Sequence, residues 1–319
     1  MKTKEIIGVA LLNLGGPETL SDVEPFLYNL FADRGIIRLG PSFMQKPLAR
    51  FIAWRRAPKS KIGYEYIGGG SPLNRITTLQ AKLLEKELPT EATYLVRPCM
   101  RYWRPFAREV VDEFVQAGVS KIIALPLYPH YSKATTGSSL IDLRRAVKRA
   151  ARGLEIHEID AYPDQAAYVE ALAGRIREGL ALFGVEETEL IYSAHSLPRK
   201  FIEEGDPYVD HINRTIKAVE ALTGKHGRIG YQSRSGPVEW LEPSTPEVLK
   251  QCAGEGFKNA LLVPISFVSD HVETLYEIEV TYRRLAGDLG IRLECTKGLN
   301  DDSRFILCLK ELVLEVQKN

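Results

Sequence analysis

The 319-residue chain contains only six histidines, and two of them occupy positions where chemistry is expected. His195 lies in Tyr192-Ser193-Ala194-His195-Ser196-Leu197-Pro198, directly after the apolar run Glu189–Ala194. An imidazole just past a buried strand stands where α/β enzymes place reactive groups, and its pKa suits proton transfer near neutral pH. The second histidine belongs to Asp270-His271-Val272-Glu273-Thr274-Leu275-Tyr276-Glu277. Glu273 and Glu277 are four apart, so on a helix both carboxylates share one face, beside an imidazole at the helix start. Ser269 or Asp270 is expected to cap that helix. Each feature alone also fits an ordinary role, a structural histidine or a solvated acidic helix face. Ser193 and Ser196 invite a hydrolase reading, but the G-x-S-x-G elbow is missing. His271-Val272-Glu273 opens like the zinc-deaminase signature without its P-C-x-x-C.

Two glycine-rich runs follow the same logic. Asn13-Leu14-Gly15-Gly16-Pro17 comes after a strand-like run, and Gly68-Gly69-Gly70-Ser71-Pro72 reads as a tight turn. Neither has G-x-G-x-x-G or P-loop spacing, so no dinucleotide site is expected. Ser21-x-x-Glu24 reads as a helix capping box. Cys99, Cys252, Cys295 and Cys308 form no C-x-x-C pair, which removes the usual zinc and iron–sulfur spacings and leaves scattered reduced thiols.

Elements able to position these groups are visible as short apolar, β-branched runs. They are Ile6–Leu14, Thr93–Cys99, Lys121–Leu127, Leu154–Ile159, Glu189–Ala194, Arg228–Gln232, Asn259–Phe267 and Ile291–Cys295. Amphipathic stretches alternate with them, notably Phe106–Ala117, Asp164–Phe183, Asp206–Leu222 and His271–Leu289. The alternation predicts an α/β fold with parallel sheets flanked by helices. Lys121–Ser132 and Asn259–Ser269 echo one another, each a strand running into a Pro-containing loop, and Arg101 and Arg234 each follow the preceding strand. The echo predicts two similar halves, residues 1–160 and 161–301, with a last helix at 302–319 packing back on the first. Every polar motif lies at the carboxyl end of a strand, where ligands bind in such folds.

The composition, 45% hydrophobic and 26% charged, is that of a globular protein with ample core. With 42 basic and 41 acidic residues, no nucleic-acid partner is expected. No apolar stretch approaches a membrane span, and the N-terminus lacks a signal-peptide cleavage region, so a cytoplasmic location is expected. One segment departs from the average. Arg34–Lys61 holds eight Lys or Arg and no Asp or Glu, together with Phe43, Met44, Leu48, Phe51, Ile52 and Trp54. That mixture suits a membrane surface or an apolar anionic ligand. It equally suits a helix packed on the core with a solvated basic face.

Taken in order, the motifs resemble the ferrochelatase family along nearly the whole chain. The segments that carry the resemblance are LLNLGGPETL at 11–20, DVEPFLYNLFAD at 22–33, IGGGSPL at 67–73, MRYWRPF at 100–106, LPLYPHYSKATTGSS at 125–139, SAHSLP at 193–198, YQSRSGPVEWL at 231–241 and PISFVSDHVETLYEIE at 264–279. The resemblance implies two Rossmann-like domains with a porphyrin cleft between them. It implies that His195 and Glu273 are the essential catalytic and iron-meeting pair, with Asp270, His271 and Glu277 extending a polar path for protons or metal. Leu14, Tyr64, Ser71, Arg101, Tyr102 and Trp240 are implied to bind the porphyrin, and Arg34–Lys61 to form a lip over the cleft mouth. Ferrous iron is then a substrate. Some members hold a cysteine-bound [2Fe–2S] cluster, but this chain departs from their cysteine pattern and no cluster is expected.

The implied reaction explains the residue types. Metallation removes two pyrrole protons and adds Fe²⁺, and bending the ring turns its nitrogen lone pairs toward the incoming ion. A base such as His195 takes the protons, and a carboxylate such as Glu273 passes protons on or leads the cation in. Leu14 stands where the coproporphyrin-using branch resembles Ala-Tyr-Gly-Thr, so protoporphyrin IX is the expected ring. Weak, reversible association with an anionic membrane through the basic, apolar lip is expected to deliver it. A coproporphyrin III-specific enzyme and a non-catalytic porphyrin or haem carrier remain as alternatives.

Overall fold

The computed structural model describes residues 4–150, 153–234, 236 and 238–318. Ser235 and Pro237, inside the motif at 231–241, lie outside the described residues, as does Asn319 at the end of the last expected helix. The chain divides into two compact units, Met1–Ala161 with Ile306–Asn319, and Tyr162–Phe305.

In the first unit, β1 (Ile6–Asn13), β2 (Thr93–Met100), β3 (Lys121–Pro126) and β4 (Glu155–Glu158) form a parallel sheet in the order β2-β1-β3-β4. β1 is almost wholly apolar and buried along its length, as a strand covered on both faces must be. Three helices, α1 (Val23–Ala32), α2 (Gln45–Tyr66) and α3 (Leu73–Glu87), lead from β1 to β2. The next two, α4 (Ala107–Gln116) and α5 (Ser138–Ala150), follow β2 and β3. Both of these connections step the same way across the sheet, and right-handed crossovers therefore put α4 and α5 on the same face. There Val110, Val111, Phe114, Leu140 and Leu143 pack on Ala10, Leu12, Ile122 and Ala124. Phe114 is fully buried against Gly8, where a Cβ would come within 2.9 Å of the ring. That burial stabilises by roughly 1.5–3 kcal/mol. The C-terminal helix, Ser303–Lys318, is tied to β2 by Tyr94, whose hydroxyl donates to Gln317 Oε1 at 2.8 Å.

The second unit repeats the plan. β5 (Glu189–His195), β6 (Gly227–Gln232), β7 (Asn259–Pro264) and β8 (Arg292–Cys295) form a parallel sheet in the order β6-β5-β7-β8. Its helices are α6 (Ala166–Leu180), α7 (Arg199–Glu203), α8 (Tyr208–Thr223), α9 (Thr245–Gly254) and α10 (Arg283–Asp288). Val248, Leu249 and Cys252 of α9 and Ala286 of α10 cover Ile191, Ala260 and Leu262 on one face. On the other, Gly179 of α6 lets the helix meet Leu261 closely, since a Cβ there would lie 2.7 Å from its side chain.

Two local expectations are corrected. The stretch His271–Leu289 is not one α-helix: Glu273–Tyr282 is a π-helix, with the wider i→i+5 turn, and α10 continues it. It starts at Val272 without a side-chain cap, so neither Ser269 nor Asp270 plays that role. The capping contact near α1 belongs to Thr19 and Asp22, not Ser21 and Glu24. A 3₁₀ turn at Leu20–Asp22 starts the helical path earlier, and the Asp22 carboxylate accepts the Thr19 N–H at 2.9 Å. Among the described residues no helix is long and apolar enough to cross a membrane.

Candidate active site

In each unit the central strand and the one that follows it on the far side form a topological switch point, where loops diverge and leave a crevice. In the second unit these are β5 and β7. His195 ends β5, and the loop after β7 leads into the π-helix that carries Glu273 and Glu277. The sequence therefore delivers an imidazole and two carboxylates to one crevice by two separate strands.

The His195 backbone is held by a closed ring of hydrogen bonds. Its N–H donates to Ser266 Oγ at 3.1 Å, and Tyr208 donates its hydroxyl to the His195 carbonyl at 2.9 Å. Ser266 and Tyr208 join at 2.7 Å, which is satisfied when Ser266 donates to Tyr208. The imidazole Nδ1 lies 2.9 Å from Glu273 Oε2, leaving Nε2 as the nitrogen free to meet a substrate. Phe267 presents its ring edge-on to His195 at 6.0 Å and lies 4.1 Å from His271.

Beyond His195 the polar chain continues through Ser233. Its Oγ lies 3.0 Å from Glu273 Oε2 and 2.5 Å from Glu277 Oε2, and its N–H donates to Glu277 Oε1 at 3.2 Å. Tyr282 donates its hydroxyl to Glu277 Oε1 at 2.7 Å. Ser233 has φ +65°, a left-handed conformation that costs a side-chain-bearing residue roughly 1–2 kcal/mol. The strain is offset by two carboxylates satisfied from one residue. Sequence reading missed Ser233; a serine directly after a buried strand end, within YQSRSGPVEWL, was the available signal.

The electrostatics divide the two carboxyls. Burial alone would raise the Glu273 carboxyl, but the charge and hydrogen bond of His195, with His271 and Ser233, outweigh it and hold the pKa down to about 2. Glu277 is shifted the opposite way: burial and then the negative charge of Glu273 raise it above its ordinary value. Burial opposes the charged form of His195, yet the neighbouring Glu273 and Glu277 carry its pKa above 6.5. One group of this row is thus a firm anion, one a ready cation, and one an acid with raised proton affinity. Such separation marks proton-handling sites.

The remaining members of the expected polar path are also here. His271 is buried, its pKa lowered chiefly by that burial, and its Nδ1 faces the Ser269 carbonyl at 3.2 Å. Its Nε2 is buried with no hydrogen-bond partner among the described residues. Asp270 is gripped by Asn300, which donates Nδ2–H to Asp270 Oδ2 at 2.7 Å and accepts the Asp270 N–H at 2.9 Å. Trp240 is partly exposed and held by a bridge to Pro198, and its buried Nε1 has no hydrogen-bond partner among the described residues. Ser193 and Ser196 are fully buried, Ser193 donating to Gln232 at 2.6 Å, so neither is presented as a nucleophile.

The expected porphyrin residues of the first unit fall into two groups. Arg101 and Tyr102 converge on Asp33, the residue after α1. Arg101 Nη2 donates to Asp33 Oδ2 at 2.7 Å and Tyr102 donates to the same oxygen at 2.9 Å, while Arg101 Nε donates to Ser138 at 2.8 Å. Burial would raise the Asp33 carboxyl, but Arg101 and the hydrogen bonds from Ser138, Tyr102 and Gly35 hold it below its ordinary value. Tyr102 is 1% exposed, so it braces Arg101 and offers little surface of its own. Leu14, Tyr64 and Ser71 belong to the glycine-rich turns. Ser71 N–H donates to the Pro17 carbonyl at 2.7 Å, and a Cβ on Gly16 would come within 2.6 Å of Ser71. These glycines are there so that two turns can pack backbone to backbone. Leu14 is half-buried and Tyr64 is buried.

The lip segment lies largely on α2, and it inverts the usual surface pattern. Ala49, Ala53 and Ala57 face inward, while Phe43, Phe51 and Trp54 are 77%, 55% and 60% exposed. Gln45, which sequence reading passed over, ties the preceding loop down, donating Nε2–H to the Phe31 and Ile37 carbonyls at 2.8 Å each. The four cysteines are free thiols, Cys295 half-buried and the rest buried. Among the described residues no three His, Cys, Asp or Glu groups converge as a metal cage.

Comparison with known proteins finds relatives along nearly the whole chain. A family model described as ferrochelatase matches residues 6–317. The chain is 57% identical over 312 residues to the ferrochelatase of Desulfotalea psychrophila, with 98% of each chain covered. It is 47% identical over 316 residues to that of Geotalea daltonii, again with 98% of each covered. Among solved structures, SirB from Bacillus subtilis with Fe³⁺ shares the fold at a TM-score of 0.57 and 13% identity, covering 76% of this chain and 90% of SirB. CbiX, the terminal enzyme for biosynthesis of siroheme in denitrifying bacteria, does so at 0.51 and 10% identity, covering 98% and 99%.

Proposed function

Because this chain belongs to the ferrochelatase family and is a lyase that inserts ferrous iron into a porphyrin, we propose that its ring substrate is protoporphyrin IX and that His195, Glu273, Ser233 and Glu277 carry off the two protons the ring loses. The observation that supports the relay is its continuity: His195 Nδ1 to Glu273 at 2.9 Å, then Ser233 to both Glu273 and Glu277.

In this reading His195 Nε2 meets a pyrrole N–H. The imidazole accepts that proton while Glu273 stabilises the resulting cation. An arriving Fe²⁺ disfavours a protonated imidazole beside it, which drives the proton onward. Glu277, with its raised proton affinity, is the acceptor at the far end, and the Ser233 hydroxyl links it to Glu273. Imidazole and carboxylate are both acceptable ligands to ferrous iron, and the small number of donors here suits an ion that must be passed on rather than kept. Asp270 and His271 extend the same row on the other side of Glu273.

Protoporphyrin IX is favoured by Leu14, which brings an apolar contact and no hydroxyl, and by the outward aromatic groups of the α2 region. The same groups, with the basic residues among them, support loose attachment to an anionic membrane, where a sparingly soluble ring collects. We also propose, on cysteine spacing, that no iron–sulfur cluster is bound. The direct test of the relay is anaerobic iron insertion into protoporphyrin IX with a pH indicator present. Wild-type protein should release two protons for each iron inserted, and a folded Glu273→Gln protein working at the wild-type rate would refute the relay.

A further inference from the structure

The first unit contains a pocket of about 390 Å³ lined in part by Arg101, Arg108, Arg145, Arg149, Asp33 and Asp142. Four guanidinium groups there meet two carboxylates. Asp33 is already committed to Arg101, Tyr102 and Ser138, and Asp142 approaches Arg101 only at 3.9 Å. Arg108 has one loose, exposed partner, Asp112, at 3.8 Å on its own helix. Arg145 and Arg149 have no ion-pair partner among the described residues. They sit four apart on α5, a spacing at which like charges repel. The turn between them supplies Ala146, whose small side chain leaves the pocket open. Their neighbour Arg144, by contrast, is paired bidentately with Glu158. Among the arginines of α5, the two without an ion-pair partner are therefore the two that line the pocket.

We propose that this pocket binds a small multivalent oxyanion, a compound carrying two or more carboxylate or phosphate groups. Guanidinium forks match both groups in geometry, and a second charged group is needed to engage Arg145 and Arg149 together with Arg108. The volume lies at the lower end of small-molecule sites, about 300–1,000 Å³. It accommodates a tricarboxylate or a compact phosphate ester and is too small for a tetrapyrrole ring. Asp142, half-buried at the rim, offers an acceptor for a ligand hydroxyl.

The test is isothermal titration of the full-length protein with citrate and, separately, with pyrophosphate, at constant ionic strength. A single saturable site is expected for at least one of them, with a dissociation constant on the order of 0.1–1 mM. Binding by citrate alone assigns the pocket to polycarboxylates, and binding by pyrophosphate alone assigns it to phosphate compounds. The Arg145→Gln/Arg149→Gln protein should bind at least about tenfold more weakly. Arg214→Gln, at an exposed arginine paired with Asp164, should bind as wild type does. Turnover without added anion, and the KM for porphyrin, should be unchanged in the double variant. No saturable binding by either anion, equal binding in the double variant, or a raised porphyrin KM would overturn the proposal. The last outcome would assign these arginines to the propionates of the porphyrin instead.

Discussion

Glu273 and Glu277 converge on one hydroxyl, that of Ser233. A serine has a single O–H to give, so the hydroxyl itself serves only one of two ionised carboxylates at a time, although its N–H also donates to Glu277. The arrangement is complete when Glu273 is ionised and accepts from Ser233 while a protonated Glu277 donates to the Ser233 oxygen. The opposite displacements of the two carboxyl pKa values favour that state. In the proposed relay this is the state reached after transfer: a proton moves from the His195 end toward Glu277 only while Glu277 is still ionised and accepts from Ser233.

Ser233→Gly should therefore lower kcat by about 10–100-fold with little change in porphyrin KM. Glycine is the informative replacement, since it accepts φ +65° without strain while removing the hydroxymethyl group. Ser233→Ala removes only the hydroxyl and keeps the strained backbone with nothing to offset it. Steady-state rates for the two proteins, with thermal melts alongside, separate the effects. A Ser233→Gly enzyme at full speed would show the hydroxyl to be structural.

Along the row, the cost of substitution should fall with distance from the ring. His195→Ala should abolish iron insertion, a loss of about 10³-fold or more, while porphyrin binding and fold persist. Glu273→Gln should lose most activity, because an amide neither takes a proton nor steadies an imidazolium. Glu277→Gln should be hurt less. Insertion assays on the three proteins test the gradient, and Glu277→Gln proving the most damaged would reverse the proposed direction.

The His195–Glu273 pair also makes stability depend on pH. The folded pKa of His195 lies above 6.5, so its contribution is fully present below about pH 6.5 and is lost as pH rises through the folded value. Glu273, at about 2 when folded against 4.5, contributes above pH 4.5 and loses that contribution as pH falls toward 2. The pair is most stabilising between about pH 4.5 and 6.5. The urea-midpoint difference between wild type and Glu273→Gln should peak there and shrink toward pH 9. A difference that grows steadily with pH would contradict the assignment.

The purified protein should carry no iron–sulfur cluster. Cys99 and Cys308 belong to the first unit and Cys252 and Cys295 to the second, and three of the four are buried. Anaerobic purification followed by iron and sulfide analysis is decisive, because a brown protein with near-stoichiometric sulfide would refute it. Cys295→Ser, at the one half-buried thiol, should retain nearly full insertion activity.

Much of this was legible before any coordinates. Parallel strands covered on both faces are continuous apolar runs, so β1 to β8 stood out within one residue of their ends, except that β7 stops at Pro264, three residues before the expected Phe267, and the echo of 121–132 in 259–269 announced two similar halves. His195 and Glu273 stood out because their types are rare or charged and follow strand ends. Ser233, Asn300 and Asp33 did not, since each acts by holding another group across 30 to 105 residues of chain, and no local pattern records such a partnership. The π-helix escaped because i→i+5 bonding has no residue-type signature and the segment runs on into α10 as one helical stretch. Likewise, composition alone left the role of Arg34–Lys61 undecided; the side each residue faces is a property of packing.

That facing now makes a prediction about substrate and membrane together. A helix that serves only the core buries its aromatic groups and exposes alanine, whereas α2 buries Ala49, Ala53 and Ala57 and exposes Phe51 and Trp54, with Phe43 just before it. Phe51 and Trp54 stack loosely at 6.1 Å, forming one outward patch among Lys46, Arg50, Arg55 and Lys59. Inserting such aromatics into the headgroup boundary gains roughly 1.5–3 kcal/mol for each one fully buried, and the cations add attraction to anionic lipid that salt screens. Flotation with liposomes containing phosphatidylglycerol should therefore show binding that weakens with salt and with Phe43→Asp or Trp54→Asp. Both substitutions should leave insertion unchanged when the porphyrin is supplied in detergent. A ring gathered from the bilayer must be sparingly soluble, so kcat/KM should favour protoporphyrin IX, with two propionates, over coproporphyrin III, with four. A clear reversal of that preference would assign the chain to the coproporphyrin branch even if the protein floats. Failure to float, with the preference intact, would mean that the exposed aromatics serve the ring itself rather than the lipid.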